Sequence, residues 1–212
     1  MDMPIGVINL QIGNPKSITS ALERLGIDSE LVDVPEKVTN FAKIILPGVG
    51  NFGAYMDNLN RTGFSESIKK HVSSQEKRIL GLCVGAQALL DSSEEDLSQS
   101  GLGFISGLNR RITPNETRFL PRTGWDYQTL NLHLDTELNI GLMSVLKPPS
   151  KFYFSHSYRF EVSDPANIVS RSKSDPAIAT VLRKENILGA QFHPEKSLGS
   201  GLKFLEYFAG DF

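Results

Sequence analysis

Over its first ninety residues the chain alternates short apolar, β-branched runs with stretches of helical spacing, and this rhythm restricts the fold more than any other feature. Ile5 to Leu10 (IGVINL) reads as a buried strand, GNPKS as a turn, and Ile18 to Leu25 as a helix ended by Gly26. Leu31 to Val34 and Lys43 to Leu46 predict two more strands, and helical spacing covers Tyr55 to Val72 with a break at Thr62-Gly63. Lys77 to Leu82 predicts a fourth strand running directly into the helical VGAQALLDS. The pattern predicts an α/β fold with a mostly parallel central sheet flanked by helices. Ligand chemistry in such a fold lies beyond the carboxyl ends of the strands.

The second half is richer in short strand-like runs. Arg110 to Ile112, Phe152 to Phe154, Tyr158 to Val162, Ile168 to Ser170, Ile178 to Arg183 and Leu188 to Phe192 predict antiparallel hairpins added to the parallel core. Leu198 to Ala209 predicts a closing helix. No repeat and no long linker interrupts the chain, so residues 1–212 read as a single domain, with DSSEEDLSQS (91–100) as a surface loop. Charge narrows the partners: 22 Lys and Arg stand against 24 Asp and Glu, and the basic residues gather in nothing longer than pairs such as Lys69-Lys70 and Arg110-Arg111. That pattern predicts no nucleic-acid partner. The start has neither a basic leader nor a long apolar run, and no segment approaches the ~18 apolar residues of a membrane span. One cysteine in 212 residues forms no internal disulfide, which fits a cytoplasmic location.

That lone cysteine sits in Gly81-Leu82-Cys83-Val84-Gly85, the spacing of a nucleophile elbow with sulfur in place of oxygen. A sharp strand-to-helix turn crowds the backbone two residues on either side of the nucleophile, which favours residues without a Cβ there. The turn also leaves Cys83 at a helix start, where unpaired N–H groups favour thiolate, and aims the Val84 N–H at a developing oxyanion. The pentapeptide alone is equally compatible with a core cysteine in a tight turn. A nucleophilic thiol needs a base and an orienting group. Of the four histidines, His71 beside Lys69-Lys70 and His133 in NLHLD read as solvated surface positions, and His156 carries no assignment. His193 ends the predicted strand LGAQF, and Pro194 holds it extended so that Glu195, two residues on, faces the same way. Pro47-Gly48-Val49-Gly50 follows another strand on the same edge and can turn backbone N–H groups toward an anion. Neither G-x-G-x-x-G nor G-K-[ST] occurs, and no cofactor or metal is assigned.

GLCVG together with a distant FHPEKS resembles the class I glutamine amidotransferases, and LPGVGNFGAYM is similar to the glutaminase subunits of imidazole glycerol phosphate synthases of histidine biosynthesis. The resemblance continues through GNPKS, SSEE, GLGFI, GW and FYFSHSY. It implies a Cys83–His193–Glu195 triad that hydrolyses glutamine. It further implies that Gly48, Val49, Gly50 and Val84 surround the oxyanion, with Gln87, Glu95 and Ser157 around bound glutamine. The implied acceptor is a (β/α)₈-barrel synthase subunit forming a heterodimer, docked near Trp125, Tyr153 and Lys196. Trp125 by itself reads equally as core or interface. One departure concerns the docking face: where the family reads PHMGWN, this chain has Pro121-Arg122-Thr123-Gly124-Trp125-Asp126. Two alternatives therefore stand beside the main reading. One is a paralogous glutaminase supplying a synthase that amidates a surface-polysaccharide sugar, and the other an unrelated thiol hydrolase or non-catalytic binding domain.

Overall fold

A computed structural model describes residues 3–114, 119–131 and 136–212. The strands are β1 (Ile5–Ile8), β2 (Ser29–Val32), β3 (Lys43–Gly48), β4 (Arg78–Cys83), β5 (Ser92–Ser93), β6 (Gly107–Arg111), β7 (Arg122–Leu130), β8 (Lys151–His156), β9 (Tyr158–Val162), β10 (Ile168–Ser172), β11 (Ala179–Lys184) and β12 (Ile187–Ala190). The helices are α1 (Lys16–Glu23), α2 (Phe52–Arg61), α3 (Phe64–Val72), α4 (Val84–Gln87), α5 (Thr136–Leu146) and α6 (Leu198–Gly210). The main sheet runs β2-β1-β3-β4-β12-β11-β10-β7-β8. Its first five strands are parallel, and from β12 onward each neighbour is antiparallel. The expected parallel core with added antiparallel strands is therefore the observed architecture.

Apolar side chains alternate across the two faces because successive residues of a strand point oppositely. Ile44 and Leu46 pack with Leu59, Phe64 and Ile68 of α2 and α3, whereas Ile45 packs with Leu22 of α1 and with Phe204 and Phe208 of α6. Two buried cores result, one on each face of the same sheet. The strand order then brings three chain segments to one edge: β4 ends at Cys83, its neighbour β3 pairs Gly48 with Cys83, and its other neighbour β12 pairs Ala190 with Leu82.

Several expectations need correction. His71 is fully buried, with its ring nitrogens 3.3 Å from the Val38 carbonyl and 3.1 Å from that of Arg78. Burial lowers its pKa, partly offset by the Arg78 carbonyl. Phe64, Ile68 and His71 fall at i, i+4 and i+7, which rotates the imidazole onto the core stripe of α3 and leaves the preceding lysines outside. His133 lies outside the described residues. The helix after Cys83 is a single turn, Val84–Gln87, and the helical spacing beyond it belongs to buried turns. The strand β7 and the helix α5 occupy a stretch where no element is predicted. The acidic stretch after Asp91 is only partly a surface loop, since Ser93 is buried and pairs with Asn109 as part of β5.

Arg122 and Asp126 are not free docking residues but partners of each other. Their side chains are 14% and 9% exposed and meet at 2.6 Å. The guanidinium also stacks 4.4 Å from the Phe154 ring, and Asp126 accepts hydrogen bonds from Ser172, from Ser174 at 2.8 Å and from the Tyr127 N–H at 2.8 Å. The two residues that depart from the resembled pattern thus pair with one another. Removing one charge strands the other, which costs ~3 kcal/mol for a buried pair. Asp126→Asn should lower stability by about that amount in urea unfolding, and Arg122→His with Asp126→Asn should cost clearly less than the sum of the single changes. Strict additivity would show that the pair is not coupled.

Candidate active site

The elbow is held by contact between backbones. A Cβ on Gly81 would lie 2.7 Å from the Gly85 oxygen, and one on Gly85 would collide with the Leu46 carbonyl. Glycine at both positions is what lets β4 turn sharply into α4. Cys83 takes φ +52° and ψ −111°, a conformation non-glycine residues rarely adopt. Strain at a non-glycine residue between two glycines is a common mark of a functional turn.

Cys83 is buried at the floor of a cavity of about 300 Å³. Val49, Gly50, Val84, Gln87, Glu95, Ser157, His193 and Lys196 contribute to its lining, so most of the residues singled out in the sequence meet here. Gly48 lies just behind the lining, paired with Cys83 in the sheet. The imidazole of His193 lines the same cavity as the Cys83 sulfur and meets Glu195 through Nδ1 at 3.0 Å. Burial pulls the His193 pKa down, but the sulfur and the carboxylate outweigh it and lift the value to about 9. The ring is therefore protonated at neutral pH. Glu195 is reached from the short turn Pro194–Lys196, with His193 itself extended at φ −101° and ψ 97°.

Glu95 is not a solvated charge. Its Oε2 accepts the Phe52 N–H at 2.7 Å, at the start of α2, where the helix dipole favours a carboxylate. Gln87 donates from Nε2 to Gln191 Oε1 at 3.2 Å, and Gln191 donates from Nε2 to the Cys83 sulfur at 3.8 Å. Gln191 is fully buried two residues before His193 and carries no assignment from the sequence. Period-2 spacing from His193 is the signal that would have found it.

His156 also lines the cavity without having been assigned. Its Nδ1–H donates to the Tyr158 carbonyl at 2.7 Å, and its Nε2 accepts from Arg122 at 3.2 Å. Burial lowers its pKa to about 3, with Arg122 and His193 pushing the same way against the Tyr158 carbonyl. Of the two histidines at the cavity, one carries a proton at neutral pH and the other remains neutral. Trp125, Tyr153 and Lys196 form a surface cluster nearby. The Trp125 and Tyr153 rings meet edge-on at 5.8 Å, Lys196 lies 5.9 Å over Tyr153, and Trp125 is 47% exposed, so it is not a core residue.

Comparison with known proteins adds family membership to this geometry. The glutamine amidotransferase class-I family model matches residues 7–209. The imidazole glycerol phosphate synthase subunit HisH 2 of Methanococcus maripaludis is 34% identical over 204 residues, covering 96% of this chain and 98% of that protein. The chloroplastic imidazole glycerol phosphate synthase hisHF of Arabidopsis thaliana is 36% identical over 211 residues, covering 98% of this chain and 34% of that protein. Among solved structures, a crystal structure of glutamine amidotransferase shares the fold with a TM-score of 0.75 at 21% identity, over 97% of this chain and 98% of that one. Matched from β1 into α6, and over 30% identical to a relative of nearly the same extent, the chain belongs to the class-I glutamine amidotransferase family.

Proposed function

We propose that this protein is the glutaminase subunit of an imidazole glycerol phosphate synthase, hydrolysing glutamine to glutamate and supplying the ammonia to a barrel-shaped synthase subunit. The reading rests above all on one observation: a buried sulfur at a strained turn shares a cavity with a histidine whose Nδ1 meets a carboxylate at 3.0 Å. The Cys83 sulfur attacks the side-chain amide carbon of glutamine, and the carbonyl oxygen takes up the displaced electron pair. Val84 and the Gly48–Gly50 loop supply backbone N–H groups to that oxyanion, a contribution of about 10²- to 10³-fold in rate for each donor. The His193 proton passes to the amide nitrogen, the C–N bond breaks, and ammonia leaves a glutamyl thioester on Cys83. His193 then takes a proton from water, whose oxygen attacks the thioester and releases glutamate. Glu195 holds the ring in line through both steps. Gln87, Glu95 and Ser157 bind the amino-acid portion of the substrate.

Ammonia released into water at neutral pH would be protonated and lost, which favours an acceptor docked over the site. The relatives' names point to imidazole glycerol phosphate synthase, and in this reading the acceptor is the histidine-biosynthesis synthase that yields imidazole glycerol phosphate and AICAR. The Arabidopsis protein named hisHF is matched over only a third of its length, so that synthase carries chain beyond what this protein supplies. The exposed Trp125–Tyr153–Lys196 cluster is the docking surface in this reading, and docking aligns the Pro47–Gly50 loop for catalysis.

Cys83→Ala should abolish glutamine hydrolysis while leaving thermal unfolding unchanged, and the wild-type rate should rise when the histidine-pathway barrel synthase is added. Retained hydrolysis in the variant would end the mechanism, and stimulation only by a sugar-amidating synthase would transfer the protein to the paralogous reading. His193 contributes stability that is complete below its ordinary value of 6.5 and is lost as pH rises through about 9. Catalysis should follow the same proton. In the complex, kcat/KM for glutamine should decline above about pH 9, and Glu195→Gln should move that decline to lower pH because one of the groups raising the value is gone. A decline unmoved by the substitution would show that His193 is not the titrating group.

A further inference from the structure

The loop from Pro47 to Gly50 is anchored at both ends by the first turn and a half of α2. At the far end, the Asn51 side chain caps the helix by accepting the Ala54 N–H at 3.0 Å, and Glu95 accepts the Phe52 N–H at 2.7 Å. At the near end, the Tyr55 hydroxyl donates to the Pro47 carbonyl at 2.7 Å. The Tyr55 side chain is 2% exposed, and its ring lies so close to Gly48 that a Cβ there would be 3.0 Å from Cε2. Burial, and after it the nearby Cys83 charge, raises the Tyr55 pKa well above its usual value, so the hydroxyl keeps its proton and remains a donor.

A peptide unit is planar, so fixing its oxygen fixes the direction of its N–H. The hydrogen bond to Pro47 therefore sets the Gly48 N–H and confines any swing of the loop to the residues between the two anchors, Gly48, Val49 and Gly50. Gly50, at φ +93°, supplies the backbone freedom. We propose that Tyr55 is a positioning residue for glutamine hydrolysis, its hydroxyl holding the Pro47 carbonyl so that the loop's backbone N–H groups stay registered over Cys83. The inference rests on the glutaminase reading above. Tyr55 touches neither substrate nor thiol in this role, and acts only through the loop.

Tyr55→Phe keeps the ring packing and removes only the donor, so it isolates the role from the fold. The measurement uses the subunit assembled with its barrel synthase. The expected result is a fall in kcat for glutamine hydrolysis of about 10- to 100-fold, less than the full loss of a donor because the N–H groups are misplaced rather than removed, with KM for glutamine unchanged. Alkylation of Cys83 by iodoacetamide needs no oxyanion stabilisation and should keep its wild-type rate. A wild-type kcat in Tyr55→Phe, a higher one, or a loss shared equally by alkylation would each overturn the proposal. A complex whose glutamine hydrolysis survives Cys83→Ala would instead overturn the glutaminase reading itself, so the two failures are distinguishable.

Discussion

Three stretches of backbone at the end of the parallel sheet approach more closely than any residue with a side chain allows. A Cβ on Gly48 would strike the Gly85 nitrogen and lie 2.9 Å from the Val84 carbonyl carbon, while Gly81 and Gly85 press on α4 and on the Leu46 carbonyl. This packing is the constraint on which the site depends. It holds Cys83 in a conformation that costs roughly 1–3 kcal/mol, and it sets the turn, the Gly48 backbone and the sulfur against one another. The placement of Cys83 is a property of the packed backbone rather than of flexible side chains.

The same buried setting acts oppositely on two histidines. His193 is raised to about 9 by the sulfur and carboxylate on either side of it, whereas His156, facing an arginine and another histidine, is lowered to about 3. Burial lowers both, so neighbouring charge decides the difference. A single imidazole is left to carry the proton, and the neutral one serves as a rigid wall held by Tyr158 and Arg122. The Arg122–Asp126 pair reaches this site too, because its guanidinium helps to hold the cavity wall. Glu95 likewise links two parts of the site, lining the cavity while anchoring the helix that follows the Pro47–Gly50 loop.

Local patterns made the parallel core and the sulfur–imidazole–carboxylate set legible, because glycine spacing, a proline-held histidine and strand ends act over a few residues. Contacts between distant segments were not legible. Nothing near Gln191 announces that its amide reaches the Cys83 sulfur, and nothing near Tyr55 announces that its hydroxyl meets a carbonyl eight residues earlier. His71 was misread because neighbouring lysines outweighed the i, i+4, i+7 spacing that buries it. The strand β7 escaped because its polar residues and Gly124 weaken the apolar alternation, its partly exposed face being stabilised by pairing with β8. The helical spacing after Gln87 was overridden by tertiary packing, which spends those apolar residues on buried turns.

The most direct test is mass spectrometry of the complex quenched in acid during turnover of glutamine. A glutamyl adduct on the peptide holding Cys83, released by hydroxylamine as a thioester should be, is the predicted result. Steady turnover with no such adduct, or with the adduct on another residue, would contradict the account.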